Sequence, residues 1–210
     1  MTEISGQPVP KKQGNFDHIF YVLRANPVTL IAFGMFALLI FSAIFGPALV
    51  LYDPLATNAS IALQAPSWEH WFGTDNVGRD VFSRVIVATR LDLSISVAAV
   101  ALSFVVGSVL GCIAGYWGGW LDIVLNRFLD TIMAFPLFVL AMGIVAALGN
   151  TIENIIYATA IINMPFYARL VRAEVNIRRD AGFARAAKLA GNSDVRVLTM
   201  HIFPNALPPM

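Results

Sequence analysis

Four long stretches without a charged side chain constrain the fold of this chain more than any other feature. They cover residues 25–52, 93–121, 131–152 and 154–168. A helix needs about 20 apolar residues to cross the hydrocarbon core of a membrane. Only 13% of the residues are charged and 58% are hydrophobic, whereas a soluble domain carries about 25% charged residues. The sequence therefore predicts an all-α, polytopic membrane protein.

The uncharged stretches place the expected helices along the chain. The first transmembrane helix is predicted at 28–51, after an N-terminal tail at 1–27 and before a loop at 52–90 that contains GTDNVGRD. The fourth stretch is long enough to span only if its helix continues to Arg172. Within 91–210 we expect helices at about 92–116, 122–148, 154–172 and from 195 to 210 and onward.

Lysines and arginines are concentrated in two segments, and these predict the orientation of the chain. The N-terminal tail contains Lys11, Lys12 and Arg24. Seven more basic residues lie in the segment 169–196: Arg169, Arg172, Arg178, Arg179, Arg185, Lys188 and Arg196. Short segments rich in lysine and arginine face the cytoplasm, and four spans between the two segments put both on that side. We therefore expect a cytoplasmic N-terminus and an external 52–90 loop, although that loop also contains Arg79, Arg84 and Arg90.

Small residues recur every fourth position in the second predicted span. They are Ser103, Gly107, Gly111 and Gly115. On a helix these positions share one face, and such small faces let two membrane helices approach closely. Glycine is also common in membrane helices in general, so the stripe could reflect composition alone. We favour close helix packing along this face, because four small residues stand in register.

Prolines lie within the later predicted spans, and two charged residues lie near the start of the third. Pro136 and Pro165 lie inside the third and fourth predicted spans, and Pro204 lies early in the fifth. Each proline removes a backbone donor and bends a helix. Such kinks could serve a bundle that opens and closes around a path, or they could merely fit the packing of the helices. Arg127 and Asp130 are three residues apart and can pair on one helical face. Asp130 is a candidate pathway residue or an ordinary charge near the membrane surface.

The sequence contains no motif of catalysis or cofactor binding. It lacks the phosphate-binding pattern G-x-x-x-x-G-K-[ST] and a G-x-G-x-x-G that opens a helix. His18, His70 and His201 are far apart, and the single cysteine, Cys112, is predicted to be a small packing residue. The net charge of +1 gives no indication of nucleic acid. We expect no catalytic residue, no metal site and no bound cofactor, so the energy for any transport must come from an ion gradient or a partner ATPase.

A short basic helix is predicted at 180–192, between two apolar stretches. Asp180 can cap its start and Gly191 can end it. Ala184 and Ala187 form a small-residue face with Gly191, while the basic side chains project elsewhere. Asn192, Ser193 and Asp194 then begin the next helix. Such a helix could transmit a movement of a partner protein to the helix bundle, or it could lie on the surface of anionic lipid.

The sequence resembles a known family over most of its length, from about residue 20 to its end. Five blocks carry the resemblance: FGTDNVGRDVFSR (72–84), AGYWGGWLD (114–122), FLDTIMAFP (128–136), YARLVRAEV (167–175) and HIFPNALPP (201–209). They are similar to the C-type permease subunits of dipeptide, oligopeptide and nickel ABC importers. The basic helix also resembles the family's cytoplasmic loop motif, E-A-A followed by three residues and glycine, with a proline further on. Arg185, Ala186, Ala187, Gly191 and Pro204 occupy those places.

The resemblance implies a type I ABC importer transmembrane domain in the bacterial inner membrane, here lacking the end of the fifth helix and the sixth. It implies four kinds of partner: a second permease subunit in a heterodimer, two ABC ATPase subunits, a periplasmic solute-binding protein and membrane lipid. ATP and Mg would be used by the ATPases, not by this chain. Contact with an ATPase is assigned to Phe183, Ala184, Arg185, Ala186, Ala187, Lys188, Gly191, Asn192 and Ser193. Arg185 stands where the family has glutamate, which reverses the charge of the motif.

Members of this family import peptides or related small solutes, such as nickel complexes, glutathione and opines, and they are not enzymes. Two other functions are consistent with the residues alone. A secondary transporter would show repeated halves and acidic residues at the membrane midplane, and neither is visible in the sequence. A membrane scaffold would recruit a soluble protein through the 180–192 helix without transporting anything. Loss of transport on deletion, with the ATPase still membrane-bound, would separate a transporter from a scaffold.

Overall fold

The computed structural model describes residues 26–207, most of which are helical, with a long loop over residues 50–80 that contains one 3₁₀ turn, Ala59–Ile61. The helices are α1 (Pro27–Leu49), α2 (Val81–Trp117), α3 (Gly119–Met133), α4 (Leu137–Leu148), α5 (Ile152–Arg179), α6 (Gly182–Leu189), α7 (Asp194–Arg196) and α8 (Phe203–Ala206). A π-helical segment, Val197–Ile202, joins α7 to α8. The extended pairing found in the described residues is a single bridge between Thr74 and Asp80. The prediction of an all-α fold is confirmed.

Some sequence predictions lie outside the described residues. They concern Lys11, Lys12 and Arg24 in the N-terminal tail, and the last three residues of the predicted 195–210 helix. The described residues divide into two compact units, with the boundary between Leu91 and Asp92. The two units are described in turn.

The first unit contains α1, which is capped by the side chain of Asn26. The Asn26 carboxamide oxygen accepts hydrogen bonds from the backbone N–H groups of Val28 and Thr29, at 3.1 and 3.4 Å. These bonds satisfy donors that have no partner within the helix. The helix is apolar on all sides and mostly exposed, as is typical of a segment that contacts lipid. It ends at Leu49, slightly before the predicted end at residue 51.

The segment between α1 and α2 is held by ion pairs at its C-terminal end. The Asp75 carboxylate binds Arg79 at 2.8 Å and also binds Arg84. His70 and Asp80 form a buried pair at 2.9 Å. Asp80 also accepts the backbone N–H of Ser83 at 2.7 Å, so it caps the first turn of α2.

The start of α2 was predicted wrongly at about residue 92, because the helix begins at Val81. The prediction followed apolarity, and Arg84, Arg90 and Asp92 interrupt the apolar pattern just after the true start. A helix tolerates these side chains, since only its membrane-crossing part must be free of charge. The predicted loop therefore contains the first turns of α2.

In the second unit, the single helix predicted at 122–148 is wrong. The structure has two helices, α3 and α4, whose axes differ by 90°. Helix α3 ends at Met133, and Pro136 stands immediately before α4 as its N-cap residue. Proline has no N–H to donate, and it disfavours the helical conformation of the residue before it. Pro136 therefore ends one helix and starts another, where a kink had been predicted.

Helix α5 extends beyond both predicted limits of 154–172. Its start is capped by Thr151, whose hydroxyl accepts the backbone N–H of Asn154 at 3.3 Å. Pro165 lies within the helix, which continues past it. An ion pair one turn apart, between Glu174 and Arg178, supports the C-terminal extension.

The structure limits how many helices have the length and apolarity of a membrane span. Among residues 26–207, α1 and α2 qualify, and α3 with α4 would add a third if the bent pair is one span. Helix α5, which contains the predicted span at 154–172, is not among them. Polar residues stand in its first half, among them Glu153, Asn154 and Asn163, as well as in its charged second half.

The chain is helical from Asp194 to Ala206, within the predicted helix, but its winding is not regular. The Phe203 N–H donates to the carbonyl of Leu198, five residues earlier. Pro204 follows directly, and in a regular α-helix its ring would collide with the carbonyl of Met200. A wider π turn before a proline moves that carbonyl away from the ring, which accounts for the π segment at this place.

Candidate functional site

The predicted basic helix exists as α6, but its start differs from the prediction. Helix α6 covers Gly182–Leu189, its N-cap residue is Ala181, and no side chain caps it. The prediction that Asp180 caps this helix is wrong, because Asp180 instead follows α5 as its C-cap residue. The Asp180 carboxylate lies 3.4 Å from Arg179 and 3.8 Å from Arg185. These exposed pairs contribute little to stability.

The end of α6 is formed by Gly191, as predicted. Gly191 has a φ of +86°, a left-handed conformation that other residues adopt only under strain. Its N–H donates to the carbonyl of Lys188 at 2.9 Å, and the Asn192 N–H donates to the carbonyl of Ala187 at 3.2 Å. This pair of bonds is the Schellman motif. The Asn192 side chain donates to the same Ala187 carbonyl at 2.9 Å, which fixes the direction of the following chain.

One face of α6 is buried against the rest of the second unit. Ala184 and Ala187 are the buried residues of the helix. They join a cluster whose other members are Tyr116, Val171, Val175, Val197, Leu198 and Ile202. The small residues allow α6 to lie close to α5 and to the π segment. This face is therefore used within the chain and is not free to contact a partner.

The rest of α6 is exposed and includes two large apolar side chains, of which Leu189 lies opposite the buried face and Phe183 lies beside it. Leu189 is 89% exposed and Phe183 is 44% exposed. Arg185 and Ala186 are exposed on the same short helix. Ser193 lies beyond the helix and caps α7 through the N–H of Arg196, at 3.4 Å. Helix α6, which is only eight residues long, thus presents an exposed surface that is both apolar and basic.

Lys188 does not share the outward direction of Arg185. Its Nζ lies 2.9 Å from Asp194 and 5.2 Å from the centre of the Tyr116 ring. The Tyr116 hydroxyl donates to the same Asp194 oxygen at 2.7 Å. This hydrogen bond and the one from Lys188 hold the pKa of Asp194 below its usual value, and the bond to Asp194 raises the pKa of Lys188. Lys188 therefore contributes to the attachment of α6 within the chain, and its contact with an ATPase stays a prediction.

The glycine stripe of α2 packs against α5 of the same chain. A methyl group at Gly107 would lie 2.7 Å from the Met164 carbonyl oxygen, and one at Gly115 would lie 2.7 Å from that of Arg172. At Gly111 the nearest atom would be the Ala168 carbonyl oxygen, also closer than real methyl groups approach. The hypothesis of close packing along this stripe gains support from these distances. The partner surface is α5, where the contacted carbonyls belong to every fourth residue: Met164, Ala168 and Arg172.

Ser103 completes the stripe with hydrogen bonds. Its buried hydroxyl donates to the carbonyl of Ala99 at 2.6 Å and contacts that of Ala160 at 3.2 Å. The second carbonyl belongs to α5, so the hydroxyl joins the two helices. Polar groups between apolar helices stabilise their association in a membrane.

Helix α5 is joined to α3 by ion pairs. Arg172 binds Asp122 through two nitrogens, with Nη2 at 2.5 Å from Oδ2. Arg169 binds Asp130 at 2.5 Å. The predicted pair of Arg127 with Asp130 is therefore wrong, because a residue of the neighbouring helix takes the carboxylate. Leu129 and Ile132 of α3 pack beside these pairs against Met164 and Ala168 of α5.

Comparison with known proteins identifies the family. Residues 107–210 match the binding-protein-dependent transport system inner membrane component family, and residues 16–66 match the N-terminal TM domain of oligopeptide transport permease C. The dipeptide transport system permease protein of Alkalihalophilus pseudofirmus is 39% identical, over 100% of this chain and 70% of that protein. The chain belongs to this permease family.

Two further permeases are similar to this one. The probable D,D-dipeptide transport system permease protein of Escherichia coli K12 is 37% identical, over 96% of this chain and 68% of that protein. The glutathione transport system permease protein of Pectobacterium atrosepticum is 35% identical, over 84% of this chain and 60% of that protein. The chain is thus a multi-pass membrane permease subunit of a binding-protein-dependent transport system, with the type I ABC importer fold predicted above. Such a subunit is not a catalytic enzyme.

Four residues make contacts between helices that were not predicted from the sequence. They are Tyr116, Asp122, Arg172 and Asp194. Three of them lie in the blocks AGYWGGWLD and YARLVRAEV, so the family resemblance marked their neighbourhood. Their pairing could not be predicted, because Asp122 and Arg172 are 50 positions apart and only the fold brings them together.

Proposed function

We propose that this permease is one subunit of an ATP-driven importer, in which it forms half of the translocation path. A second permease subunit forms the other half. Two ABC ATPases hydrolyse ATP with Mg and bind this chain through the exposed face of α6. A periplasmic solute-binding protein delivers the solute from outside. The chain itself binds no cofactor and has no catalytic residue.

The observation that carries the proposal is the division of α6 into two faces. Ala184 and Ala187 fasten the helix to its own bundle, while Phe183 and Leu189 remain exposed. Large apolar side chains on a short basic helix are costly to leave in water, and they favour a partner with an apolar groove. Arg185 is also exposed, and its ion pair with Asp180 is a long one, at 3.8 Å. Its charge would therefore be attracted by acidic residues at the edge of that groove.

The orientation of the permease follows from the same assignment. The N-terminus and α6 face the cytoplasm, where the ATPases are, and the segment between α1 and α2 is external. A cysteine introduced at Asn58 should then react with a membrane-impermeant thiol reagent added to intact cells. Labelling only after cell lysis would contradict this orientation.

Peptides are the proposed solutes, since the relatives are named for dipeptide, D,D-dipeptide and glutathione transport. The path is proposed to pass Asp130, whose carboxylate is exposed beside α5, with Pro136 and Pro165 shaping the helices along it. Ionisable groups at membrane depth usually face protein or a water-filled cavity.

Uptake in cells tests the importer directly. Cells that lack this chain should lose uptake of a labelled dipeptide and regain it when the gene is restored. Uptake should persist when a protonophore collapses the ion gradient and cease when ATP is depleted. The reverse pattern would indicate a secondary transporter. Unchanged uptake in the deletion strain, with the ATPases displaced from the membrane, would indicate a scaffold.

Substitutions in α6 test its contact with the ATPase. Leu189→Ser should reduce copurification of the ATPase, and Arg185→Glu should weaken it in a salt-dependent way that a charge reversal on the ATPase restores. Leu55→Ser is the matched control, because Leu55 is 76% exposed in the segment proposed to be external.

Gly191→Val should also reduce copurification and substrate-stimulated ATP hydrolysis, because the left-handed conformation costs valine about 1 kcal/mol or more. Gly182→Val, at an unstrained position with open space, should have little effect. Normal ATPase binding and stimulation with all three α6 variants, Leu189→Ser, Arg185→Glu and Gly191→Val, would exclude α6 as the docking helix.

A further inference from the structure

A polar cluster joins three helices on the inward side of α6. Tyr116 comes from the end of α2, Lys188 from α6 and Asp194 from the start of α7. The Tyr116 hydroxyl and the Lys188 ammonium both bind the same oxygen of Asp194, at 2.7 and 2.9 Å. The Lys188 ammonium also lies over the Tyr116 ring, 5.2 Å from its centre. Each of the three side chains therefore contacts the other two.

The three side chains of this cluster differ in how deeply they are buried. The Tyr116 ring is buried and contributes to the apolar cluster that contains Ala184 and Ala187. Lys188 and Asp194 are about half exposed, with side-chain exposures of 52% and 53%. An exposed ion pair contributes little by itself. The hydrogen bond from a buried tyrosine to a carboxylate is directional, and it contributes more.

We propose that Tyr116 and Asp194 are positioning residues that fasten the start of α7 to the end of α2 and, through the Lys188–Asp194 pair, fasten α6 to the same point, so that a movement of α6 is transmitted to the α2–α5 pair. The contacts of Ala184 and Ala187 are apolar and have no fixed direction, whereas hydrogen bonds and ion pairs to a carboxylate are directional. The Tyr116–Asp194 bond therefore fixes the position of the carboxylate to which Lys188 of α6 is bound. Helix α2 is in turn held to α5 by the glycine stripe, which makes the two helices move together.

The proposal rests on the proposed docking of an ATPase on α6, and its test separates the two. Tyr116→Phe removes the hydroxyl and keeps the ring, and Asp194→Asn removes the charge. Each variant is placed in the complete importer, reconstituted with its second permease, ATPases and binding protein. ATPase copurification should be unchanged, because the outward face of α6 is intact. Stimulation of ATP hydrolysis by the loaded binding protein should fall about tenfold, as expected for loss of a hydrogen bond to a charged group.

A double variant distinguishes this role from a general loss of stability. If the two residues act through their shared hydrogen bond, Tyr116→Phe with Asp194→Asn should reduce stimulation no more than either change alone. Tyr157→Phe is the matched control, on a half-exposed tyrosine of α5, and it should leave stimulation unchanged. The melting temperature of each complex is measured alongside.

Three outcomes would overturn the proposal. Full stimulation in both single variants would show that movement reaches α2 by another route. Additive losses in the double variant would show that the two residues act separately. A fall in stimulation that follows a lower melting temperature would assign the cluster a structural role only. Loss of ATPase binding in the Leu189→Ser variant is a separate result, which concerns the docking face alone.

Discussion

Two of the interfaces of helix α5, one with α2 and one with α3, have opposite character. Toward α2, its backbone carbonyls lie directly against the glycines at 107, 111 and 115, where no methyl group would fit. Toward α3, it uses the Arg172–Asp122 and Arg169–Asp130 ion pairs beside a small apolar contact. One interface consists of backbone in contact with backbone, and the other depends on long side chains.

The difference between these two interfaces indicates which helices can move relative to one another. Backbone contacts cannot adjust, because any displacement opens a gap or a collision. Long charged side chains can follow a displacement of several ångströms, and their exposed ends can be hydrated when a pair opens. We infer that α2 and α5 move as one body, whereas α3 can shift against it. The 90° break between α3 and α4 provides a joint next to the adaptable interface.

The largest effect is expected at the glycine stripe. Gly111→Leu should separate α2 from α5, at a cost of about 3 kcal/mol or more in the free energy of unfolding, because the side chain would enter the backbone of α5. Thermal unfolding of the purified complex and the amount of folded protein in the membrane measure the effect. Gly107→Leu should behave in the same way.

Gly143→Leu is the matched control for the stripe. Gly143 is also helical, and no atom lies within 4 Å of a side chain added there, so leucine should be tolerated or slightly stabilising. Cys112→Leu is a poorer control, because Cys112 packs against the buried cluster around α6. Equal tolerance at Gly111 and Gly143 would remove the distinction between the two interfaces of α5.

An intermediate effect is expected at the more enclosed ion pair. Arg172→Met should lower the free energy of unfolding by about 2 kcal/mol, between the typical values for exposed and for buried pairs. It leaves the partly buried Asp122 carboxylate without its two-nitrogen partner. Exchange of the two charges, Asp122→Arg with Arg172→Asp, should recover part of the loss. If the double variant recovers no stability, the interface depends more on the packing of these side chains than on the attraction between their charges.

The sequence predicted the helices well where one physical signal dominates. Apolarity marked α1 closely, and the spacing of Gly107, Gly111 and Gly115 marked a packing face, because both signals are local. The left-handed turn at Gly191 was also predictable from a single residue type. The predicted start of α2 was wrong because apolarity marks membrane depth, and Asp80 caps the helix well before the apolar part begins.

Contacts between distant residues account for the other errors. Arg127 was predicted to pair with Asp130 because local spacing permits it, but Arg169 of α5 competes for the same carboxylate. The partners of Lys188 could not be predicted either, because Tyr116 and Asp194 come from other helices. Pro136 was recognised as a helix disturbance. Whether a proline kinks or ends a helix depends on its surroundings, as the continuous helix through Pro165 illustrates.

The smallest effect on stability is expected at the exposed end of the α3–α5 interface. Asp130→Asn should change the free energy of unfolding by less than about 1 kcal/mol, because Asp130 and Arg169 are 49% and 43% exposed. Its effect should appear in transport, since Asp130 is proposed to lie on the path. Uptake of a labelled dipeptide should fall while ATPase copurification and the melting temperature stay unchanged. Arg127→Gln is the control and should alter neither measurement, because Arg169 is the partner of Asp130. A destabilisation as large as that of Arg172→Met would mean that the whole interface is equally rigid, and α3 could then not shift against α5.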